Sequence, residues 1–347
     1  MRATEMPLSD PAASVSAMTR SLAIEAEDLV KHFGDTVAVD GVSFTVPEGS
    51  VLGLLGPNGA GKTTTVRMMT TLTSPTSGTG RVAGHDITSD PAAVRRSMGL
   101  TGQAATVDEL LTGRENLRLI GQLYGLDSAY IKRASGELLE RFSLSDAGDR
   151  IAKTYSGGMR RRLDLAVSLI ATPPVLFLDE PTTGLDPRSR VELWEVLREL
   201  VKDGTTLLLT TQYLEEADQL ADNIVVIDRG TVIAEGTPSE LKNQSGAAAL
   251  VVTVSHAQDI DAAVALLSPH VREVHLDQGA RQLTAPAEGL GHMTRVANLF
   301  DESGIVLDDI GLKRPSLDDV FLHLTGHRAE SRSDADSSAE QTEEVSR

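Results

Sequence analysis

The amino-acid sequence predicts an α/β protein with a mixed, mostly parallel sheet at its core, followed by a small α+β domain. Two observations predict the first part: short apolar segments alternate with segments of helical periodicity, and a glycine-rich loop joins one apolar segment to a helix. The second part follows from the order of elements after residue 247, which is β-α-β-β-α-β, the ferredoxin-like arrangement. The 347 residues suffice for about two domains.

Composition excludes several classes of protein. Asp and Glu total 50 against 32 Lys and Arg, and the resulting net charge of −18 argues against broad nucleic-acid binding. Cysteine is absent, which rules out disulfides and thiol chemistry and is compatible with a reducing cytoplasm. No run approaches the ~18 apolar residues of a membrane span. If the protein works at a membrane, we expect another chain to supply the spans.

The pattern along the chain predicts where its parts begin and end. Residues 1–20 are small and polar and are predicted to be a disordered lead without a signal-peptide core. The α/β domain is predicted over 21–243, with a helical subdomain over 104–150 inserted in it. The α+β domain is predicted over 247–327, and the acidic residues 328–347 are predicted to be a disordered tail.

The α/β domain begins with strands and short helices. Strands are predicted at Leu22–Phe33, Thr36–Val46, Val51–Leu55, Gly80–Val82 and Ser97–Thr101, and helices at Thr64–Met69 and Pro91–Arg96. In the helical subdomain, Thr112 and Glu115 predict a capping box at a helix start, because Glu115 lies three residues after the cap.

The same alternation predicts the remaining elements. In the α/β domain they are helix Ser156–Ala171, strand Val175–Leu178, helix Ser189–Asp203, strand Thr206–Thr210, helix Glu215–Leu220 and strand Ile224–Ile227. In the α+β domain they are strand Leu250–Val254, helix Ile260–Leu267, strands Val271–Leu276 and Arg281–Thr284, helix Met293–Phe300, strand Ile305–Ile310 and helix Leu317–Leu324.

The segment Gly56-Pro57-Asn58-Gly59-Ala60-Gly61-Lys62-Thr63 reads G-x-x-x-x-G-K-T between a predicted strand and a predicted helix, the context of a phosphate-binding loop. Glycines let successive backbone N–H groups face a phosphate, and the helix adds the positive end of its dipole. Lys62 can reach the β- and γ-phosphates, and the Thr63 hydroxyl can ligate Mg²⁺. The loop therefore predicts binding of a nucleoside triphosphate.

Two adjacent carboxylates, Asp179 and Glu180, follow the apolar run Leu176–Leu178. Ligands bind at the carboxyl ends of strands in sheets of this kind. Asp179 fits a ligand of Mg²⁺, directly or through water, and Glu180 fits the general base that deprotonates the attacking water. Together with the phosphate-binding loop, the pair predicts hydrolysis of ATP.

The segment Ser156-Gly157-Gly158 opens a predicted helix, and its hydroxyl and N–H groups can form a second anion site. Lys62 and Ser156 lie 94 positions apart, at the starts of different helices. Two anion sites for one nucleotide suggest that the second serves a nucleotide bound to another copy of the chain. On these residues alone, a serine N-cap before flexible glycines is the simpler explanation.

Taken together, these motifs make the chain resemble the ATP-binding proteins of ABC (ATP-binding cassette) transporters from about Leu22 to Lys242. Ser156-Gly157-Gly158-Met159 is similar to the family's LSGGQ signature, with departures at Tyr155 and Met159. The other matches are Asp179-Glu180 (Walker B and catalytic glutamate), Gly184-Leu185-Asp186 (D-loop) and Gln103 (Q-loop).

The resemblance implies an antiparallel β subdomain beside the mixed sheet and a head-to-tail dimer, in which Ser156, Gly157 and Gly158 of one subunit cover ATP on the other. It also implies that the helical subdomain receives a separate transmembrane subunit at the cytoplasmic face of the membrane. Phe33 would stack on adenine. The implied ATP-binding residues are Phe33, Gly56, Pro57, Asn58, Gly59, Ala60, Gly61, Lys62, Thr63 and Thr64, and the implied Mg²⁺ contacts are Thr63, Gln103 and Asp179.

Gln212 stands where the family usually has histidine. A glutamine side chain cannot act as an acid or a base, but its amide can donate a hydrogen bond to the γ-phosphate or position water. Deprotonation is therefore assigned to Glu180 and sensing of the γ-phosphate to Gln212. The alternative is that Gln212 is an inert surface residue and turnover is impaired.

A narrower resemblance is to the daunorubicin/doxorubicin-resistance branch of antibiotic exporters. It is carried by Gly84–Thr88, Lys153–Asp164, Thr210–Gln212 and Ser316–Gly326. It implies an ATPase that powers efflux of a hydrophobic drug such as an anthracycline, with export of a complex lipid as the alternative. Two interpretations are open for the triplet Arg160-Arg161-Arg162, a functional patch and a solvated helix face, and the solvated face is preferred.

Two further classes fit less well. A soluble ABC ATPase that acts on ribosomes or DNA would be more basic, and would carry two cassettes or a long coiled coil. A P-loop kinase would leave Ser156-Gly157-Gly158 and Asp186 without a role. Both predict no membrane partner, which distinguishes them from an exporter.

Overall fold

The computed structural model describes residues 21–102, 107–244, 248–287, 289–313 and 316–325, so the predicted disordered lead and tail lie outside it. The strands are β1 Leu22–Phe33, β2 Thr36–Pro47, β3 Val51–Leu55, β4 Ser77–Val82, β5 His85–Asp86, β6 Met98–Thr101, β7 Val175–Asp179, β8 Thr206–Thr211, β9 Asn223–Asp228, β10 Thr231–Gly236, β11 Ala249–Val254, β12 His275–Asp277, β13 Gln282–Pro286 and β14 Leu307–Lys313. The helices are α1 Lys62–Met69, α2 Pro91–Arg96, α3 Gly113–Leu123, α4 Ser128–Arg141, α5 Gly157–Ser168, α6 Pro187–Lys202, α7 Leu214–Leu220, α8 Pro238–Gln244, α9 Ile260–Leu267, α10 Leu290–Ser303 and α11 Leu317–Thr325.

The central sheet has six strands in the order β10-β9-β3-β8-β7-β6. Neighbours from β9 to β6 are parallel, and β10 pairs antiparallel with β9. Strands β3, β7 and β8 are buried along their whole length. Alternate residues of β7 enter different cores: Leu176 and Leu178 pack with α5 and α6, whereas Phe177 packs with α1, β1 and β2. The predicted mixed sheet is therefore confirmed, and burial on both faces accounts for its continuous apolar runs.

A second, fully antiparallel sheet has the order β2-β1-β4-β5. Its inward side chains, among them Ile24 and Phe44, share a core with Leu52 and Leu54 of β3. The backbone N–H of Asp40 on β2 donates to the carbonyl of Gly230 in the β9–β10 hairpin, at 2.8 Å. This sheet therefore packs beside the loop that follows β3.

Helices α3 and α4 lie between β6 and α5 and form the described part of the predicted helical subdomain. The capping box at α3 is present: the Glu115 N–H donates to Thr112 Oγ1 at 3.2 Å, and the Thr112 N–H donates to Glu115 Oε2 at 2.8 Å. Leu117 of α3 and Leu139 of α4 are buried in the same core as Tyr155, just before α5. The subdomain is thus packed directly against the start of α5.

The C-terminal sheet has the order β12-β13-β11-β14 and is antiparallel throughout. With α9 and α10 as crossovers, this is the split βαβ order of a ferredoxin-like domain. The predicted strand Val271–Leu276 is wrong for most of its length, because only His275–Asp277 forms a ladder. Residues Ser268–His270 extend α9 as a 3₁₀ turn that contains a proline, and the extended chain that starts at Val271 pairs with the sheet only from His275.

The last helix, α11, packs on the α/β domain. Its Leu317, Val320 and Phe321 lie at i, i+3 and i+4 and share a buried cluster with Leu214 of α7 and Leu241 of α8. The division at 247–327 stays a prediction, but it grouped this helix with the β11–β14 sheet, whose core is formed by other residues. Within the described ranges, no helix is both long and apolar enough to cross a membrane.

Candidate nucleotide site

The loop between β3 and α1 requires glycine at two positions. A Cβ atom on Gly56 would lie 2.2 Å from the carbonyl oxygen of Ile227, closer than any side chain can approach. Gly61 has φ +110°, and its Cβ would lie 2.7 Å from the carbonyl oxygen of Ala38. The loop is therefore held tightly between β2 and the β9–β10 hairpin, which fixes where its N–H groups point.

Lys62 is the first residue of α1 and lies at the centre of this loop. Its Nζ donates to the carbonyls of Gly56 at 2.7 Å and Pro57 at 3.1 Å, and the residue is 4% exposed. A cavity of about 200 Å³ adjoins it, lined by residues 57–64, Ala38 and Glu180. A cation and a helix N-terminus that face one cavity form a site for anionic groups.

Asp179 ends β7 beside this cavity. Its Oδ1 accepts hydrogen bonds from Thr63 Oγ1 at 3.2 Å and from Thr210 Oγ1 at 2.5 Å. Thr210 lies opposite Asp179 in the parallel β7–β8 pair, so the register of the sheet determines this contact. The result is a pair of oxygen atoms, from a hydroxyl and a carboxylate, next to the phosphate-binding loop. Mg²⁺ prefers oxygen ligands of this kind.

Glu180 follows Asp179 with a strained backbone. Its φ is +49°, a left-handed conformation that costs a residue other than glycine about 1–3 kcal/mol. Its N–H donates to both the carbonyl and Oγ1 of Thr210, each at 3.1 Å. Its Oε2 accepts from Thr183 Oγ1 at 3.3 Å, and the residue lines the cavity next to Lys62. This conformation turns the chain sharply at the carboxyl edge of the sheet.

Ser156 is the N-cap of α5, and its Oγ accepts from the N–H of Met159 at 3.2 Å. Ser156 and Gly157 are exposed, and a Cβ on Gly157 would meet nothing within 4 Å. A Cβ on Gly158 would lie 3.1 Å from Ser189 Oγ on α6. The residues that line the cavity around Lys62 include none from Ser156 to Met159. The start of α5 thus presents its N–H groups to solvent, apart from the phosphate-binding loop of the same chain.

Tyr155 departs from the leucine of the LSGGQ signature, and the structure gives it a structural role. It is 4% exposed, and its hydroxyl donates to the carbonyl of Ala147 at 2.6 Å. Burial raises the pKa of the Tyr155 phenol. The ring fills the core beside α3, where a Cβ on Gly113 would lie 2.5 Å from its hydroxyl. The tyrosine therefore fits a cavity that this chain provides.

Asp186 is the N-cap of α6. Its carboxylate accepts from the N–H of Ser189 at 3.0 Å and from its hydroxyl at 2.7 Å, which lowers the pKa of Asp186. Because Ser189 also lies against Gly158, the start of α6 and the start of α5 are in contact. The D-loop aspartate and the signature glycines are therefore neighbours within one chain.

The remaining predicted site residues, Phe33, Gln212 and Gln103, differ in their exposure and in whether the structure describes them. Phe33 ends β1 with its ring 53% exposed, and Lys31 Nζ lies 5.1 Å from the ring centroid. Gln212 is half-buried between β8 and α7, one residue beyond the β3–β8 register pair of Leu55 with Thr211. Gln103 lies outside the described residues. Phe33 and Gln212 thus lie at the ends of strands that belong to different sheets.

The sequence interpretation missed two features near this site. The triplet at 160–162 is not a solvated face, because the side chains of Arg161 and Arg162 are only 15% and 16% exposed. Glu216 on α7 is fully buried, and burial raises its pKa to about 6. The triplet's position one residue after the glycines was a usable signal for the arginines. For Glu216, its place between apolar residues 214 and 217 on one helix face was the signal.

Comparisons with known proteins agree with this geometry. The family model described as ABC transporter matches residues 39–183. The chain is 51% identical to the daunorubicin/doxorubicin resistance ATP-binding protein DrrA of Streptomyces peucetius, over 92% of this chain and 97% of that protein. It is 40% identical to the Nod factor export ATP-binding protein I of Ralstonia nicotianae, over 87% of this chain and 94% of that protein.

A solved structure shows the same fold. It is the ADP conformation of an ATP-binding cassette of an ABC transporter, which is 28% identical to this chain. The TM-score is 0.58, and the match covers 63% of this chain and 92% of that chain. The cassette fold predicted for the α/β domain is therefore confirmed.

Proposed function

Because the chain belongs to the ATP-binding proteins of ABC transporters, we propose that this ATPase powers export of a hydrophobic drug, such as an anthracycline, through a separate membrane subunit. The observation that carries the proposal is the 51% identity to a daunorubicin/doxorubicin resistance protein over 97% of that protein's length. The likeness therefore includes the C-terminal segments beyond the matched cassette at 39–183. Export of a complex lipid is the second candidate, since a relative at 40% identity is named for a different cargo, Nod factor.

The phosphates of ATP would bind the loop of residues 56–64. Lys62 Nζ would exchange the carbonyls of Gly56 and Pro57 for the β- and γ-phosphates, since Lys62 lines the cavity beside the loop. The N–H groups at the start of α1 add the positive end of the helix dipole. The exposed ring of Phe33 supports stacking on the adenine.

Mg²⁺ fits the residues present. Thr63 Oγ1 and Asp179 Oδ1 lie 3.2 Å apart and both offer oxygen to a hard cation. When bound, Mg²⁺ would neutralise charge that develops on the β- and γ-phosphates. Thr210 holds the Asp179 carboxylate towards the loop through its own hydroxyl. Gln103, the third implied contact, lies outside the described residues.

We assign deprotonation of the attacking water to Glu180 and sensing of the γ-phosphate to Gln212. Glu180 lines the cavity that contains Lys62, which supports this role. Gln212 lies beyond the carboxyl end of β8, the strand between β3 and β7. An amide there can donate a hydrogen bond to a phosphate oxygen but cannot take a proton.

The second half of the site would come from another copy of the chain. Ser156, Gly157 and Gly158 of that copy would cover the γ-phosphate, and Asp186 would lie between the two sites. The exposed start of α5 supports this arrangement, because its N–H groups face away from its own phosphate-binding loop. The helical subdomain would receive the membrane subunit, so that the ATPase lies peripherally at the cytoplasmic face.

Transport by membrane vesicles tests the function. Inverted vesicles from cells that make the tagged chain should take up daunorubicin when ATP is added, and a hydrophobic membrane protein should co-purify with the tag. The matched control is Lys62→Ala, which should leave assembly intact and abolish uptake, because the phosphates lose their charge partner. ATP hydrolysis without drug uptake or a membrane partner would contradict an exporter. Uptake of a labelled lipid instead of daunorubicin would favour the second candidate.

A further inference from the structure

The side chain of Arg161 on α5 connects three backbone segments at the carboxyl edge of the sheet. Its Nη2 donates to the carbonyls of Asp179 at 3.0 Å and Glu180 at 3.1 Å, and its Nε donates to that of Pro181 at 2.9 Å. Its Nη1 donates to the carbonyl of Gly102, just after β6, at 2.8 Å. One side chain thus spans the end of β7, the following turn and the end of β6.

The planar guanidinium suits this position. Arginine carries five N–H donors in a rigid fork, and four hydrogen bonds from Arg161 reach backbone carbonyls. The Asp164 carboxylate lies 3.6 Å from Nη1 and forms an ion pair with it. Lysine offers three donors from a single atom and cannot reach such a spread of carbonyls. Burial lowers the pKa of Arg161, and the carboxylates of Asp164 and Asp179 oppose that shift. The side chain therefore remains a cation that is only 15% exposed and donates four hydrogen bonds to the backbone.

Arg161 helps to hold Glu180 in its strained conformation. A residue other than glycine keeps a φ of +49° only when its surroundings fix it on both sides. Thr210 binds the N–H of Glu180, and Arg161 binds the carbonyl. Removing the second contact leaves the backbone of Glu180 anchored from one side only.

The helix that carries Arg161 begins at the segment Ser156-Gly157-Gly158. Arg161 is in the second turn of α5, which begins at Gly157 under the Ser156 cap. Because helical backbone is rigid over so short a distance, a shift of Ser156 moves the Arg161 side chain with it. The start of α5 and the Asp179–Pro181 turn also line a common cavity of about 590 Å³. A movement of the start of α5 therefore changes the free volume around the turn, and a movement of the turn changes it around the start of α5.

We infer that Arg161 is a positioning residue that joins the two half-sites of one chain. It holds the Glu180 backbone to the helix that presents Ser156, so that the nucleotide on this chain and the nucleotide covered by this chain are coupled. The inference rests on the proposed function, because the coupling has meaning only if Ser156 and Glu180 act on different ATP molecules.

The neighbouring arginines provide matched controls. Arg160 Nη1 pairs with Glu109 of the helical subdomain at 2.6 Å, with its side chain 37% exposed. Arg162 Nη1 lies 3.5 Å from Glu192 of α6. Within the described ranges, neither side chain makes a hydrogen bond or ion pair with the Asp179–Pro181 turn. Arg160 lines the same cavity as Glu180 but does not bind the turn, so Arg160→Lys changes the same residue type on the same helix without removing a hydrogen bond to the turn.

The test compares Arg161→Lys with Arg160→Lys in steady-state ATP hydrolysis. We expect Arg161→Lys to lower kcat about ten- to a hundred-fold with KM for ATP within about two-fold, because a small misplacement of the base slows the chemical step but leaves phosphate binding intact. Arg160→Lys should retain the wild-type kcat. Rates are expressed per folded chain from circular dichroism. A folded Arg161→Lys variant with the wild-type kcat, or with a raised KM only, would overturn the inference.

A second variant keeps the inference testable if Arg161→Lys does not fold. If Arg161→Lys is unfolded, Arg161→Ala is assayed with guanidinium chloride at tens of millimolar, with sodium chloride as the control. Recovery of kcat by guanidinium alone supports the positioning role. Absence of recovery in a folded variant, or failure of both variants to fold while Arg160→Lys folds, assigns Arg161 to stability alone and overturns the inference. A wild-type chain that hydrolyses no ATP would instead refute the proposed function.

Discussion

The two halves of the candidate site differ in how their side chains are satisfied. In the half at the carboxyl edge of the central sheet, Lys62, Thr63, Asp179 and Glu180 all have hydrogen-bond partners in the same chain. In the half at the start of α5, Ser156 Oγ caps its own helix, and a Cβ added to Gly157 would meet nothing within 4 Å. The residues of the first half are positioned by the central sheet. Ser156 and Gly157 of the second half are exposed, so that they can contact a partner outside the chain.

This difference supports the proposal that one chain holds only part of each ATP site. A phosphate bound at Lys62 would be cradled on the side of the loop but left uncovered on the opposite side, because no residue from 156 to 159 lines that cavity. The N–H groups at the start of α5 are orphan donors that an anion can satisfy. In the proposed arrangement, a second copy of the chain, turned head to tail, would supply both missing partners at once.

The largest expected effect comes from the first half. Glu180→Gln keeps the size and the backbone contacts of the residue but removes its ability to take a proton. Hydrolysis should fall by about 10²–10⁴-fold, while ATP still binds. In ATP, the variant should also accumulate as a dimer in size-exclusion chromatography. A variant that stays monomeric at saturating ATP would count against the head-to-tail pair.

The next effect tests the second half with a pair of variants that preserve the helix cap. Aspartate and asparagine both cap helices as well as serine does. Ser156→Asp should lower hydrolysis about a hundred-fold or more, because a carboxylate would face the phosphates, whereas Ser156→Asn should keep most of the activity. Thermal unfolding should change little in either variant.

Equal rates for the two variants would show that Ser156 is only an N-cap, the simpler explanation that the sequence alone allows. Unequal melting temperatures would show instead that the pair differs in folding, and the rates would then be corrected for the folded fraction.

The smallest effect concerns Glu216, which lies beneath both halves among Thr182, Thr211 and Trp194. Burial raises its pKa from 4.5 to about 6, so the folded state binds a proton more tightly than the unfolded chain. The stability that this proton provides is present below pH 4.5 and is lost as pH rises through about 6. Above that pH, Glu216→Gln should unfold with a free energy about 2 kcal/mol larger than the wild type, as measured in urea. A difference that does not depend on pH would contradict a buried carboxylate.

Much of the first half could be predicted from local sequence. The apolar run of β7 ending in Asp179 and Glu180, and the G-x-x-x-x-G-K-T loop after β3, each combine a strand with its functional residues in a few consecutive positions. The capping box at Thr112 is likewise local, and the structure confirms it. Motifs of this kind are readable because their geometry depends on neighbours along the chain.

Other features depend on contacts that are distant in sequence. Thr210 contacts Asp179 only because β8 lies beside β7 in the sheet. The sequence of neither strand indicates this strand order. The Arg161 side chain is mostly buried because the end of β6 and the end of β7 both accept its hydrogen bonds. The apolar stripe of α11 is visible in the sequence. The surface that it covers lies on α7 and α8 of the α/β domain, which the sequence does not indicate.

Cross-linking between subunits tests the central claim most directly, since the chain has no cysteine of its own. Asn58→Cys places a thiol on the exposed part of the phosphate-binding loop, and Gly157→Cys places one at the open start of α5. Each is made in the Glu180→Gln background, and the two proteins are mixed. With ATP and an oxidant or a short bifunctional maleimide, we predict a product of twice the 36.9 kDa chain mass, and none without ATP. If ATP drives dimers together but this pair never cross-links, while a chain carrying both cysteines cross-links within itself, the two halves do not meet across subunits.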